Sequence, residues 1–308
     1  MTVIELIERS SARLSQAGVS FGHGTTNAFD EAAWLVLWRL GQALDALDEV
    51  ADRPLSTDDE AAVTALIDTR IQTRQPAAYL TGEAWLQGLP FTVDARVIVP
   101  RSLIAEPLAD ASIDAWLGPH TLRVLDLCTG NGSLAVLAAL AWPEVVVDAT
   151  DVSADALAVA RINLDRHGLA GRITLHCGDG LAAVAGQRYD LILCNPPYVN
   201  SQAMAELPAE YRAEPALALT GGADGMDFIR KLLQQAPACM TEQAVLVLEI
   251  GHERAHFEAA FPALQAIWLP TSAGDDQVLL LTRDALAAGL ATRPQTRPQT
   301  PPRATPTR

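Results

Sequence analysis

The sequence predicts an α/β fold: a doubly wound, mostly parallel sheet with its last strand antiparallel, preceded by a helical region. Three observations predict it. From Thr121 onward, apolar β-capable runs alternate with helical stretches, the pattern of successive βαβ units. The runs end in acids, glycines or prolines, placing polar groups at the carboxyl edge of the sheet, where open α/β folds bind ligands. Before Pro76, apolar residues recur instead at spacings of three, four and seven, the period of packed helices.

In chain order, Val3, Leu6, Ile7 and Leu14 share one helical face. A second helix begins at Asn27-Ala28-Phe29-Asp30-Glu31 and carries Trp34, Leu35, Leu37, Trp38 and Leu40. A third opens at Ser56 with a capping-box pattern, Ser or Thr followed by an acid three residues on. These form the domain at residues 1–75. Residues 76–100 alternate through Tyr79-Leu80-Thr81, Phe91-Thr92-Val93 and Arg96-Val97-Ile98-Val99 and read as a hairpin-like hinge. The α/β domain spans 101–288, with strands at Leu122–Leu127, Val145–Asp151, Ile173–Cys177, Tyr189–Cys194 and Ala244–Gly251 and a closing hairpin. Residues 289–308 repeat Thr-Arg-Pro-Gln without a single acid, and a disordered tail is expected.

Composition narrows the function. The chain has 308 residues, 49% of them hydrophobic, and a formal charge of −15. Such a body repels nucleic acid, and with Lys231 as its one lysine no nucleic-acid partner is expected. Four cysteines without a C-x-x-C pair argue for buried thiols in a reducing compartment and for no metal site. The amino terminus is amphipathic and acidic, unlike a signal peptide, and no apolar run reaches the ~18 residues of a membrane span. A cytoplasmic protein with no membrane partner is expected.

The chemistry gathers at four strand ends. Asp126-Leu127-Cys128-Thr129-Gly130-Asn131-Gly132 joins the first strand to its helix, and its glycines let the backbone turn tightly beside a ligand. Asp151, with Val152 after it, ends the second strand, where a carboxylate accepts both hydroxyls of a ribose. Asp179-Gly180 follows the third, in reach of an adenine amino group. Asn195-Pro196-Pro197-Tyr198 ends the fourth: two prolines stop the strand, two carbonyl acceptors face outward, and the tyrosine offers a flat wall. Two acceptors and a ring suit a planar NH2 group, although asparagine and proline are also ordinary turn residues.

Together these strand ends resemble the S-adenosylmethionine-dependent methyltransferases that modify planar amino groups. The Asp126 turn, Asn195–Val199, Val99-Pro100-Arg101-Ser102 and the helical amino-terminal region resemble more narrowly the protein-glutamine N5-methyltransferases, the HemK family, over residues 1 to 285. The resemblance implies a Rossmann-like class I methyltransferase sheet and S-adenosyl-L-methionine as cofactor. It implies Asn195, Pro196, Pro197 and Tyr198 as catalytic residues. As cofactor-binding residues it implies Asp126, Cys128, Thr129, Gly130, Asn131, Gly132, Asp151, Val152, Asp179, Gly180 and again Asn195. Phe21-Gly22-His23-Gly24-Thr25, Glu210-Tyr211-Arg212 and Glu214-Pro215 resemble the branch acting on the L-three protein of the large ribosomal subunit. That partner would be met before or during ribosome assembly.

Arg101, His23 and Glu249 are candidate substrate residues, each with a plain reading beside it: a surface salt bridge, a turn histidine, a solvated strand end. Two departures stand out. Cys128 occupies a position where many members have glycine, and Gly180 one where release-factor relatives can carry an aromatic, so adenine packing must come from elsewhere. Rival readings are the same chemistry on a peptide-chain release factor, an exocyclic-amino nucleic-acid methyltransferase, and a non-catalytic assembly factor.

Overall fold

The structure, a computed structural model, describes residues 1–291. Its amino-terminal layer comprises α1 (Val3–Gln16), α2 (Ala28–Arg39), the short α3 (Leu47–Val50), α4 (Thr57–Thr73) and α5 (Ala77–Thr81). Thr2, Asn27 and Ser56 cap α1, α2 and α4 by accepting the backbone N–H three residues on, satisfying a donor that the helix itself cannot. Leu6, Ile7, Leu35, Val63 and Ile67 are fully buried between these helices. Their core continues into Ala156 and Val159 of the α/β layer.

A hairpin, β1 (Glu83–Leu86) with β2 (Leu89–Thr92), leads through α6 (Ala105–Ala109) into the main sheet. There β3 (Arg123–Leu127), α7 (Ser133–Ala141), β4 (Val146–Asp151), α8 (Ala154–Arg166), β5 (Ile173–Cys177) and β6 (Tyr189–Cys194) follow in turn. Short α9 (Ser201–Glu206) and α10 (Ala209–Arg212) lie on a long strap before α11 (Asp227–Cys239). The chain closes with β7 (Met240–Glu249), α12 (Arg254–Ala260), β8 (Ile267–Thr271), β9 (Gly274–Thr282) and α13 (Arg283–Ala291).

The seven strands are ordered β5-β4-β3-β6-β7-β9-β8, parallel from β5 to β7 and antiparallel at β9 and β8. Strand order reverses between β3 and β6, the crevice where open α/β sheets take ligands. Alternate residues of the central strands face opposite layers. Val124, Leu191 and Val247 pack against α6 and α7, while Leu125, Ile192 and Leu246 pack against α11 to α13. Residues of α7 are apolar on every side and nearly all buried, as a helix enclosed between layers must be.

The sequence reading of residues 76–100 needs correction. Tyr79–Thr81 belongs to α5, and Arg96–Val99 forms no strand. Val97 and Val99 are buried as an alternating strand would be, but neither pairs with a strand: Val97 N donates to the Asp94 carbonyl in a local turn at 3.1 Å, Tyr79 Oη donates to the Val97 carbonyl at 2.5 Å, and Val99 N donates to Glu214 Oε1 at 2.9 Å. The hairpin is docked on α8, where buried Asn163 accepts from Thr92 N at 2.7 Å and donates to the carbonyls of Thr92 and Asn131 at 3.0 and 2.9 Å. The tail boundary also moves: α13 runs to Ala291, anchored by fully buried Leu286. The Thr-Arg-Pro-Gln repeat, from Thr292, lies outside the described residues. Among the described residues no helix is long and apolar enough to cross a membrane.

Candidate active site

The carboxyl ends of β3 to β6 enclose a cavity of about 280 Å³. After β3 three residues are left-handed, Cys128 at φ 62°, Gly130 at φ 56° and Gly132 at φ 83°. Cys128 holds a conformation that favours glycine, at a cost of roughly 1–2 kcal/mol. Cys128, Thr129, Gly130 and Asn131 form the cavity wall, with Asp151 and Val152 beside them and Asp179 and Gly180 beyond. Asp151 uses one oxygen to accept from Gly130 N at 2.9 Å and the other from Ser153 N at 2.9 Å. Each oxygen keeps a lone pair for a ligand. Burial raises its pKa against those hydrogen bonds.

Asp126 does not line the cavity; its Oδ2 accepts from Thr129 Oγ1 and Ala135 N at 2.5 and 3.0 Å, and it is 1% exposed. This carboxylate therefore shapes the turn from beneath. Gly132 does not face the cavity either: a Cβ there would stand 3.3 Å from Ala160 and Leu164, so its absence brings α7 close to α8. An aromatic ring does stand beside position 180, contributed by α11. Phe228 lines the cavity, its ring 3.8 Å from where a Gly180 Cβ would stand.

At the β6 end, Asn195 and Pro197 line the cavity and Pro196 is buried behind them. No hydrogen bond among the described residues takes up the Asn195 side chain. Tyr198 does not wall the cavity; its ring packs against Gly251, and its hydroxyl donates to Glu249 Oε1 at 2.9 Å. Glu249 is no solvated strand end. It is 3% exposed and also accepts from Ser102 Oγ at 2.6 Å and Leu103 N at 2.9 Å. Burial raises its pKa, opposed by those three donors. With both oxygens engaged it braces Tyr198 and does not reach the cavity.

Arg101 lines the cavity and is paired with Glu214 through two bonds of 2.6 and 2.7 Å. His23 is buried away from the cavity, its ring centroid 4.3 Å from that of Tyr211 with the planes tilted by 51°, and its Nε2 3.5 Å from Glu214 Oε2. The expected surface salt bridge and turn histidine thus join one buried cluster. The cysteines are less uniformly buried than their strand positions suggest: Cys194 and Cys239 are buried, while Cys177 is exposed.

Comparison with known proteins decides the family. A profile described as Methyltransferase small domain matches residues 111–216. Ribosomal protein uL3 glutamine methyltransferase of Bordetella pertussis is 54% identical over 287 residues, covering 92% of this chain and 96% of that protein. The Burkholderia pseudomallei protein of the same name is 52% identical, covering 93% and 96%. The chain belongs to the ribosomal protein uL3 glutamine methyltransferase family. It is therefore an enzyme that transfers methyl groups. Among solved structures, the hMettl16 catalytic domain in complex with the MAT2A 3'UTR hairpin 6 aligns with a TM-score of 0.50 at 13% identity, covering 74% of this chain and 81% of that one, which shows the fold alone.

The cavity of this uL3 glutamine methyltransferase family member fits a nucleoside-bearing methyl donor. Asn131 Nδ2 and Thr150 Oγ1 lie buried in its wall with no partner among the described residues, a cost that a polar ligand removes. Asp151 offers lone pairs and Phe228 a ring face. Sequence reasoning missed Phe228, because no motif marks the start of α11. It quoted Tyr211 and Glu214 without a role, since their partners lie far away along the chain.

Proposed function

We propose that this enzyme methylates the side-chain amide N5 of a glutamine in ribosomal protein uL3, with S-adenosyl-L-methionine as donor, in the cytoplasm. The observation that carries the reading is Asn195: a side-chain amide without a hydrogen-bond partner among the described residues, at the cavity wall, on the end of β6 and next to the strand-order reversal. The family relation supports the substrate. So does charge, since a body of −15 attracts a basic ribosomal protein before RNA covers it.

When bound, S-adenosylmethionine supplies an electrophilic methyl group. Asp151, Asp179 and Phe228 would hold its nucleoside, the first two as acceptors for hydroxyl and amino groups and the third as a ring face. Asn195 Oδ1 and the Pro196 carbonyl accept the two N–H groups of the glutamine amide. An amide nitrogen is a poor nucleophile because its lone pair is shared with the carbonyl. Two acceptors fix its plane without withdrawing that density, so positioning supplies much of the rate. They also strengthen as positive charge develops on nitrogen. Pro197 holds the wall, and Tyr198, braced by Glu249, fixes the path of the chain behind Asn195. The released proton passes to water, and no side chain is required to take it. Residues 1–75 select the protein substrate, and the domain after residue 100 performs transfer.

The test is incubation with labelled S-adenosylmethionine and purified unmodified uL3, followed by peptide mass spectrometry. Label on one glutamine nitrogen is expected. Label on a release factor or on RNA, with uL3 unmodified, would overturn the reading.

A further inference from the structure

Arg101 is only partly used. A guanidinium carries five N–H donors, and three are occupied: one Nη1–H by the Val99 carbonyl at 3.1 Å, the other by Glu214 Oε1, and one Nη2–H by Glu214 Oε2. The Nε–H and the second Nη2–H have no acceptor among the described residues. The side chain is 25% exposed, lines the cavity, and carries the Tyr211 ring 5.3 Å from its central carbon. Its neighbour Ser102 donates to Glu249 at the end of β7 at 2.6 Å, which places Arg101 toward the β7 end of the site and away from the β4 and β5 ends that carry Asp151 and Asp179.

Glu214 fixes this pose. It is fully enclosed as a side chain and belongs to the strap between β6 and α11. Burial opposes its charge, but the neighbouring His23 ring and Arg101 guanidinium prevail and hold its pKa at about 2. His23 stands behind it, 1% exposed, with neither ring nitrogen in a hydrogen bond among the described residues. The strap is pinned on both sides. Glu210 accepts from Ser20 N at 3.2 Å and from Arg70 and Arg74 at 3.3 Å each, all in the amino-terminal layer. Val199 N donates to the Leu219 carbonyl and Gly221 N to the Val199 carbonyl, both at 2.8 Å, beside Tyr198.

A guanidinium already neutralised by a bidentate carboxylate is a poor anion receptor, because a second carboxylate would face Glu214. It remains a good donor to a neutral oxygen. We propose that Arg101 is a substrate-binding residue whose two unused N–H groups take a peptide carbonyl flanking the target glutamine, and that His23 and Glu214 are positioning residues through which the amino-terminal layer sets its pose. The inference rests on the uL3-methylating reading above. It also gives the Phe21–Thr25 loop a task, linking the substrate-selecting layer to the cavity without touching the ligand.

The test uses the full chain, purified uL3 and S-adenosylhomocysteine. Arg101→Lys keeps charge but loses the fork. It is expected to raise KM for uL3 about tenfold, with kcat within about threefold and S-adenosylhomocysteine affinity by calorimetry within about twofold. His23→Phe keeps the ring on Tyr211 and should raise KM about threefold. His23→Gln, which restores a donor toward Glu214, should lose less. Three outcomes overturn the inference. One is weaker S-adenosylhomocysteine binding by Arg101→Lys, which would assign the residue to the cofactor. The second is an unchanged KM. The third is that both His23 variants lower Tm alike with no effect on KM, which would leave His23 a packing residue. Wild-type enzyme that leaves uL3 unlabelled overturns the functional reading, and this inference with it.

Discussion

On the β4–β5 side of the cavity, the polar wall lies within a few positions of the strand ends that present it: Asp151 closing β4 with Val152 and Ser153 after it, and Gly178 to Gly180 after β5, with Phe228 of α11 added from afar. On the β6–β7 side, Arg101, Asn195 and the Glu214, Glu249 and His23 that brace them come from five separate stretches. One side is held by local turns, where backbone N–H groups aim the carboxylate. The other is held by buried side-chain pairs between layers. The first should govern binding of the methyl donor and the second the handling of the protein substrate.

The largest expected effect is at Asn195. Asn195→Ala should reduce turnover on uL3 by about 10²–10³, the scale of one preorganised polar contact in a transition state, while S-adenosylhomocysteine affinity stays within about twofold. Initial-rate kinetics beside calorimetry check both halves. Asp151→Ala should behave in reverse, weakening S-adenosylhomocysteine binding about tenfold to a hundredfold and sparing turnover at saturating donor. If the two variants exchanged phenotypes, the division between the sides would be wrong.

Asp126 sharpens the boundary, because it lies at the end of β3 between the two. Burial raises its pKa to about 7, against the Thr129 and Ala135 hydrogen bonds. The folded protein then holds a proton that the unfolded chain releases near pH 4. Stability from this group is full below about pH 4 and is lost as pH rises to about 7. Asp126→Asn mimics the protonated form, so the Tm difference between pH 5 and pH 8 should shrink. An unchanged difference in thermal unfolding would remove Asp126 as its cause. The smallest effect is at Cys128. Cys128→Gly relieves a left-handed turn at about 1–2 kcal/mol but adds chain entropy of roughly 0.5–1 kcal/mol. A net stabilisation of about 0–1.5 kcal/mol, read by urea unfolding, is expected.

The same contrast explains what the sequence disclosed. The strands were legible because each is a short apolar run closed by a residue that cannot extend it, as at Cys194-Asn195-Pro196. The β3 to β5 wall was legible because acid and glycine sit beside their own strands. Asp126 and Gly132 were placed in the right turn but on the wrong side of it, since spacing does not say which face of a turn meets the cavity. Val97 and Val99 imitate a strand in burial alone; what they lack is a partner strand, its place being taken by a turn to Asp94 and by the Tyr79 and Glu214 side chains. Phe228 depends on the direction in which α11 enters, and Glu214 on a strap folded back across the molecule.

Arg70 turns this geometry into a matter of time. Its fully buried guanidinium donates to Glu31 and the Ser20 carbonyl, which precede it, and to Glu210, which follows 140 residues later. At a synthesis rate of ~5–20 residues per second, roughly 7–28 s separate the two residues on a translating ribosome. Throughout that interval the first helices hold a buried cation short of one carboxylate, a condition that disfavours tight closure. By the time Glu210 is made, β3 to β6 have already been synthesised. The layer translated first is thus expected to close fully around Arg70 only after Glu210 has been made.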